Sequence, residues 1–401
     1  MKEHRSAAIA RLPDIQQTLR NAALDGWLLY DFHHINPIAH RLLRIPSDRI
    51  LTRRWACFIP AQGAPRWLVH AIERGSFQDI APDAQTYVSW RDWQGGLRAL
   101  LQGARRVAME ISPGGAIPTV SRVDAGTVDL VRSLGVDVIS SADLVQVAEA
   151  VWTPDQLESH RRAARALIAI KDLAFAFVGE RAAAGDPATE TEVQRLIMRL
   201  IREHDLTTDH PPIVAVNDHA ADPHFVPSHS TDRVIQQGDL LLIDLWAREK
   251  AADAVYADIT WMAYVGQAVP PRVQEVFDVV RRARDAAVVL VQERLRAGRP
   301  VYGYEVDDAA RHVIREAGLA HAFIHRTGHS LGTDVHGNGV NMDNLETQDT
   351  RRLIVGVGFT VEPGVYLPEE GIGVRLEIDC YVGEEGLEIT TLPLQDALVL
   401  L

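Results

Sequence analysis

Three observations predict an α+β protein preceded by a smaller α/β domain. Residues 1 to about 150 alternate short runs of β-branched and aromatic residues with helical patterns, which predicts an α/β domain. From Thr153 on, long amphipathic segments with clear caps are interspersed with strands that follow one another directly, which predicts helices packed on an antiparallel-rich sheet. The clearest strand signal lies at 238–266, GDLLLIDLWAREKAADAVYADITWMAYVG, where LLLIDLWA and VYADITWMAYV flank a polar turn and read as a β-hairpin. At 401 residues the chain can bury two cores, and its domains are expected at 1–150 and 151–401.

In the first domain the expected strands are GWLLYDF, WACFIPA, PRWLVHA, TYVSW, RVAMEIS and VDVISS. None is followed by a glycine-rich phosphate loop, so nucleotide binding has no support. The opening run, MKEHRSAAIARLPDIQQ, reads as the start of an amphipathic helix without an apolar signal core. The segment 33–54 gathers His33, His34, His40, Arg41, Arg44 and Arg49, and reads either as a solvated basic surface or as an arginine-bearing loop that meets a carboxylate. In the second domain, Thr153 and Pro154 predict the start of a long helix, and Thr189 with Glu192 a capping box for the next. Two further helices are expected after the hairpin, stopped by Gly298 and Gly318.

Composition narrows the function. The formal net charge is −13 and the basic residues are dispersed, which argues against nucleic acid or anionic membrane as partners. No run approaches the roughly 20 apolar residues of a membrane span, so a soluble, cytoplasmic protein is expected. Cys57 and Cys380 lie in separate apolar runs and read as two buried thiols.

The chemistry collects around acids in apolar strands. Asp244 and Asp258 sit one in each strand of the hairpin, where an ionised carboxylate needs a cation or strong hydrogen-bond donors. An arginine or a turn cap would satisfy either one, whereas the pair on adjoining strands suggests a shared cation. His224 precedes the hairpin in DPHFVPS, and IHRTGHSLGTDVHGNG carries His329 and His336 in a glycine-punctuated turn. Glu362 ends the run GFTVEPGVY, and Glu377 lies within GIGVRLEIDCYV on the same strand face as Arg375 and Asp379. Four clustered acids require counter-charge, which two divalent cations would supply. With His329 as the one nitrogen ligand, the oxygen-rich donor set suits Mn²⁺, with Co²⁺ and Zn²⁺ as alternatives. Two such ions can activate a shared water at neutral pH and polarise a carbonyl.

The order Asp, Asp, His, Glu, Glu, within LLIDLWA, YADITW, GHSLG, VEPGVY and GVRLEID, resembles the pita-bread metallopeptidases, in particular their prolidase and aminopeptidase P branch. The similarity is strong from Thr153 on and weak before it. It implies a pita-bread (creatinase/aminopeptidase-like) fold for 151–401 and a creatinase-like domain for 1–150 that serves substrate access and dimerisation. It further implies that Asp244 binds one metal, that Asp258 and Glu377 bridge two, and that His329 and Glu362 bind the other. Glu362 would also handle the proton of the attacking water, with His224 and His336 around the scissile bond and Arg375 as a substrate contact. The expected reaction is hydrolysis of the Xaa-Pro bond of small peptides by a homodimer, as an Xaa-Pro dipeptidase or, alternatively, an Xaa-Pro aminopeptidase. A metal-free creatinase-like hydrolase and a non-catalytic binding module are the remote alternatives.

Three features depart from that family's pattern. The two aspartates stand 14 positions apart (258 − 244), a longer turn than usual. The segment between His224 and Asp244 is also long, which makes His229 a rival to His224. Prolidases commonly carry an arginine at the position held here by Gln348, where it clamps the substrate carboxylate; glutamine cannot make that bidentate, charge-assisted grip. Arg351, Arg352, Arg375 and the arginines of 33–54 are the candidates to replace it.

Overall fold

A computed structural model describes residue 9 and residues 11–401, and the chain divides into one unit ending at Glu149 and a second beginning at Ala150. The helix expected over the opening run lies partly outside the described residues; the helix that is described starts at Leu12.

The first unit contains α1 (Leu12–Asn21), β1 (Gly26–Asp31), α2 (Pro37–Leu42), β2 (Trp55–Pro60), β3 (Arg66–His70), β4 (Gln85–Tyr87), α3 (Trp90–Leu100), β5 (Arg106–Met109), α4 (Ala125–Ser133), β6 (Asp137–Ser140) and α5 (Ala142–Val145). Its six strands form one mixed sheet in the order β4-β3-β2-β1-β5-β6. All six residues of β1 are buried, as a strand covered on both faces requires. Trp27 and Leu29 pack with α1, α2 and α5, whereas Leu28 and Tyr30 pack with α3 and α4. The expected strand TYVSW is cut short at Tyr87, because Ser89 caps α3 in a reciprocal capping box with Asp92.

The basic segment is held within this unit by its own acids. Arg41 makes a two-pronged contact with Glu149 at 2.9 Å, and Arg49 contacts both carboxylate oxygens of Asp79 at 3.0 and 2.9 Å. His40 Nε2 lies 3.1 Å from the buried Asp31, which also accepts the backbone N–H groups of His34 and Asn36.

The second unit contains α6 (Pro154–Ala183), α7 (Glu190–Glu203), β7 (Leu206–Thr207), β8 (Ile213–Val216), β9 (Leu240–Glu249), β10 (Ala257–Tyr264), α8 (Pro271–Arg296), α9 (Gly303–Glu316), β11 (Ser330–Leu331), β12 (Gly358–Val361), β13 (Gly364–Leu367), β14 (Ile372–Arg375), β15 (Ile378–Gly383), β16 (Gly386–Ile389) and β17 (Val399–Leu400). Thr153 and Thr189 cap α6 and α7 in capping boxes with Gln156 and Glu192. Gly298 and Gly318 follow α8 and α9 with φ of 62° and 77°, a left-handed conformation that ends a helix readily only in glycine. The hairpin β9–β10 forms the middle of a sheet in the order β17-β10-β9-β7, with β8 also on β9; β11-β12-β15-β16 form a second sheet and β13-β14 a third.

Alternation along the hairpin decides where its acids point. Leu241, Ile243 and Leu245, with Ile259, Trp261 and Ala263, face the core beneath α6 and α7. Leu240, Leu242 and Met262 face the opposite core, shared with α8, α9 and the second sheet. Asp244 and Asp258 belong by period to that second face, and the register sets Asp244 opposite Thr260 and Asp258 opposite Trp246. Both carboxylates are therefore driven inward, toward Glu362 and Glu377.

Candidate metal centre

A cavity of about 370 Å³ in the second unit is lined by Asp244, Asp258, His329, Glu362 and Glu377. Four separate stretches of chain deliver these side chains, and each is fixed by backbone contacts. Residues 327–331 lie against β12: Thr360 N–H donates to the His329 carbonyl at 2.8 Å, Glu362 N–H to the Thr327 carbonyl at 2.7 Å, and His329 N–H to Thr360 Oγ1 at 2.9 Å. Gly328 permits this approach, since a Cβ there would fall 2.0 Å from the Thr360 carbonyl oxygen. The expected continuous strand around Glu377 is broken between β14 and β15, because β14 pairs with β13 and β15 with β12; Glu377 bridges instead to Thr260 of β10. Its alternation survives the break, with Arg375, Glu377 and Asp379 all directed toward the hairpin: Arg375 bonds Asp244, Glu377 accepts the Thr260 hydroxyl at 2.7 Å, and Asp379 accepts Asp258 N–H at 2.9 Å.

His329 is the hub. Its Nδ1 lies 3.3 Å from the Ser330 carbonyl, an acceptor that takes the ring proton, while Nε2 is 3.4 Å from Glu362, 3.7 Å from Asp258 and 4.0 Å from Glu377. Atoms of Asp258, His329 and Glu377 lie within 4.8 Å of one another, near enough to hold a single ion. Asp244 is partnered differently. Arg375 Nη2 donates to its Oδ2 at 2.5 Å, so the arginine expected near Glu377 serves the first aspartate. The same guanidinium donates to Thr260 Oγ1, Tyr366 OH and the Pro223 carbonyl, which ties Arg375 to the frame of the site.

The electrostatics call for cations. Burial, followed by the charges of Glu377, Asp244, Asp379 and Glu362, pushes the Asp258 carboxyl far above its usual range. Glu377 is raised in the same way by burial and by Glu362 and Asp244, and burial raises Glu362 to about 7. Burial, with His336 and Arg326 nearby, keeps the His329 ring neutral, the form that ligates a metal. One oxygen each of Asp244 and Asp258 is buried without a hydrogen-bond partner, an arrangement that is costly for a carboxylate unless a cation meets it. Carboxylate oxygens plus a neutral imidazole make a donor set that fits divalent ions of the Mn²⁺, Co²⁺ and Zn²⁺ kind.

Both outer histidines of the sequence reading line the cavity. His224 is exposed, while His336 packs edge-on to His329 with ring centroids 4.4 Å apart. His229, the rival to His224, is not among the lining residues. Gln348 is exposed and off the cavity, and Arg351 is buried against Asp349 and the carbonyls of Asn338 and Gly339. Arg351 therefore cannot reach a substrate. The sequence reading missed Asp209, Trp246, Arg326 and Glu346, which also line the cavity. Trp246 was legible, since it shares a strand face with Asp244; Arg326, three residues before His329, was the other available signal.

Inward acids on a hairpin, a buried imidazole at their centre and a helix-backed pita-bread fold define a metal-dependent hydrolase. The sequence matches metallopeptidase family M24 over residues 158–384, and the chain belongs to that family. A probable dipeptidase PepE of Mycobacterium tuberculosis is 29% identical over 340 residues, covering 83% of this chain and 82% of the relative. Among solved structures, the dipeptidase PepE of Mycobacterium ulcerans superposes with a TM-score of 0.69 at 25% identity, covering 97% of this chain and 96% of that one. The Xaa-Pro dipeptidase of Bacillus anthracis shares the fold, with a TM-score of 0.62 at 21% identity and coverage of 97% and 99%.

Proposed function

We propose that this metallopeptidase is an Xaa-Pro dipeptidase that works with two divalent ions, of which Mn²⁺ best suits the oxygen-rich donor set and Co²⁺ and Zn²⁺ are the alternatives. The observation that carries the reading is the convergence of Asp244, Asp258, His329, Glu362 and Glu377 on one buried cavity, with partnerless carboxylate oxygens inside it. Asp244 would hold one ion and His329 with Glu362 the other, with Asp258 and Glu377 as ligands common to both. Bound there, the ions supply a water that is nucleophilic at neutral pH and polarise the scissile carbonyl. Glu362, on the cavity wall, would accept the proton of the attacking water and pass it to the leaving proline nitrogen. His224 and His336, on the cavity wall, orient the scissile bond and donate to the oxygen that gains charge. Arg375 keeps Asp244 ionised and in place, its other nitrogens being held by Tyr366 and Thr260.

The dipeptidase relatives support the substrate class, and the small cavity, near the lower end of the roughly 300–1,000 Å³ of ligand pockets, suits a short peptide. No described helix is long and apolar enough to cross a membrane; a cytoplasmic homodimer is proposed on the family resemblance. An Xaa-Pro aminopeptidase is the second reading, favoured by Gln348, which is exposed where a carboxylate clamp was expected. Hydrolysis of Ala-Pro, Ala-Pro-Ala and Ala-Leu by the Mn²⁺-loaded protein, with Asp258→Ala as control, separates the readings. Preferential cleavage of Ala-Pro is expected. Preference for Ala-Pro-Ala would make the protein an aminopeptidase, and cleavage of Ala-Leu alone would remove the proline specificity.

A further inference from the structure

We propose that Arg326 grips the free C-terminal carboxylate of a dipeptide and so sets the preference for dipeptides over longer peptides; the inference rests on the peptidase reading above. Arg326 is half-buried on the wall of the cavity that holds His329. Its backbone is pinned on both sides. Its N–H donates to Glu346 Oε1 at 3.4 Å, its carbonyl meets His325 Nδ1 at 2.7 Å, and the next residue, Thr327, donates twice to the buried Asp307 at 2.9 and 2.7 Å. The side chain is not pinned at all. Among the described residues no hydrogen bond or ion pair involves its guanidinium, although it is close enough for its charge to act on Glu362, His329 and His336.

The contrast with the other arginines assigns the role. Arg375 is buried and spends its donors on Asp244, Thr260, Tyr366 and Pro223, and Arg351 spends its own on Asp349 and two carbonyls. Glu346 stands at the same rim but takes the backbone N–H of Arg326, with no ion pair to its guanidinium. A fixed backbone presenting an unpaired guanidinium to a cavity of acids is built to receive an anion from outside. The only anion a simple dipeptide brings is its terminal carboxylate, which would otherwise enter a field set by four acids. A planar guanidinium answers it with two parallel charge-assisted bonds, whereas the amide of a longer peptide gains no such pair.

The test is titration calorimetry of the Mn²⁺-loaded protein with two uncleavable probes, reduced-bond analogues of Ala-Pro and Ala-Leu, each as free acid and as C-terminal amide. The wild type is expected to bind each acid about 10- to 100-fold more tightly than its amide. Arg326→Gln should bind acid and amide about equally, and Arg326→Lys should recover part of the difference. Melting temperature should stay at the wild-type value in both variants, because the side chain makes no hydrogen bond or ion pair among the described residues, and Arg326→Lys, which keeps the charge that acts on Glu362 and His329, should also keep wild-type Mn²⁺ affinity. A wild type without acid preference, or an Arg326→Gln that keeps it, overturns the assignment. Hydrolysis of Ala-Pro together with no acid preference would defeat Arg326 and leave the Xaa-Pro reading intact. Acid preference lost in Arg326→Gln, in a protein that cleaves only Ala-Leu, would support Arg326 and defeat the proline specificity.

Discussion

Arg375 and Asp244 form the closest charge pair of the site, and their separation has a stated consequence. Arg375→Gln leaves Asp244 Oδ2 without its cation, and breaking a buried pair in this way should destabilise the metal-free protein by about 3 kcal/mol. Urea unfolding with and without Mn²⁺ checks this, with part of the loss expected to return when the metal is present. A loss that is the same in both conditions would mean that Arg375 acts only in packing. At this scale the sequence was informative about identities and less so about partners. Acids inside apolar runs point to Asp244, Asp258, Glu362 and Glu377, but the same signal falls on Asp31, Glu110 and Asp379, which protein hydrogen-bond donors meet. Which acid Arg375 serves could not be read, since sequence proximity favours Glu377 and the hairpin register brings Asp244.

Elements carry two further expectations. The stretch bearing His329 can lie on β12 only if residue 328 lacks a Cβ, so Gly328→Ala should push His329 away from Asp258 and Glu377. A destabilisation of about 3 kcal/mol and a loss of Mn²⁺ affinity are expected, read by thermal melting and metal titration. In the first unit, Glu110, just after β5, is fully buried and accepts bonds from Trp27, from Asn36 at 2.7 Å and from Ser141 at 3.2 Å. Burial raises its carboxyl to about 7, above its unfolded value, so its contribution to stability is complete below about pH 4.5 and is lost as the pH rises through about 7. Between pH 5 and 8 the wild type should therefore lose up to about 3 kcal/mol that Glu110→Gln does not, measured by urea unfolding at each pH. Caps and periodicity made the helices legible, Thr153 and Thr189 above all. The break between β14 and β15 was not legible. It arises from a change of pairing partner, which nothing in the alternation of GIGVRLEIDCYV records.

As a whole, the second unit folds around buried acids whose repulsion calls for counter-charge, which divalent cations would supply. Because burial and mutual repulsion raise Asp258, Glu362 and Glu377, cations must displace protons from them. Mn²⁺ affinity should therefore rise from pH 5 to 8 with proton release, visible as a buffer-dependent heat of binding. The family was readable from the order and local sequence of the five site residues, and the two-part architecture from length and the change of segment pattern near Thr153, whereas the exposed Glu346 on the cavity wall emerged only from the folded chain. The most direct test is calorimetric titration of metal-free wild type and Asp258→Ala with Mn²⁺. Two ions per chain for the wild type, with affinity for both reduced in Asp258→Ala because that carboxylate is proposed to serve both, is the predicted result. Two ions bound equally well by Asp258→Ala, or none bound by the wild type, would contradict the account.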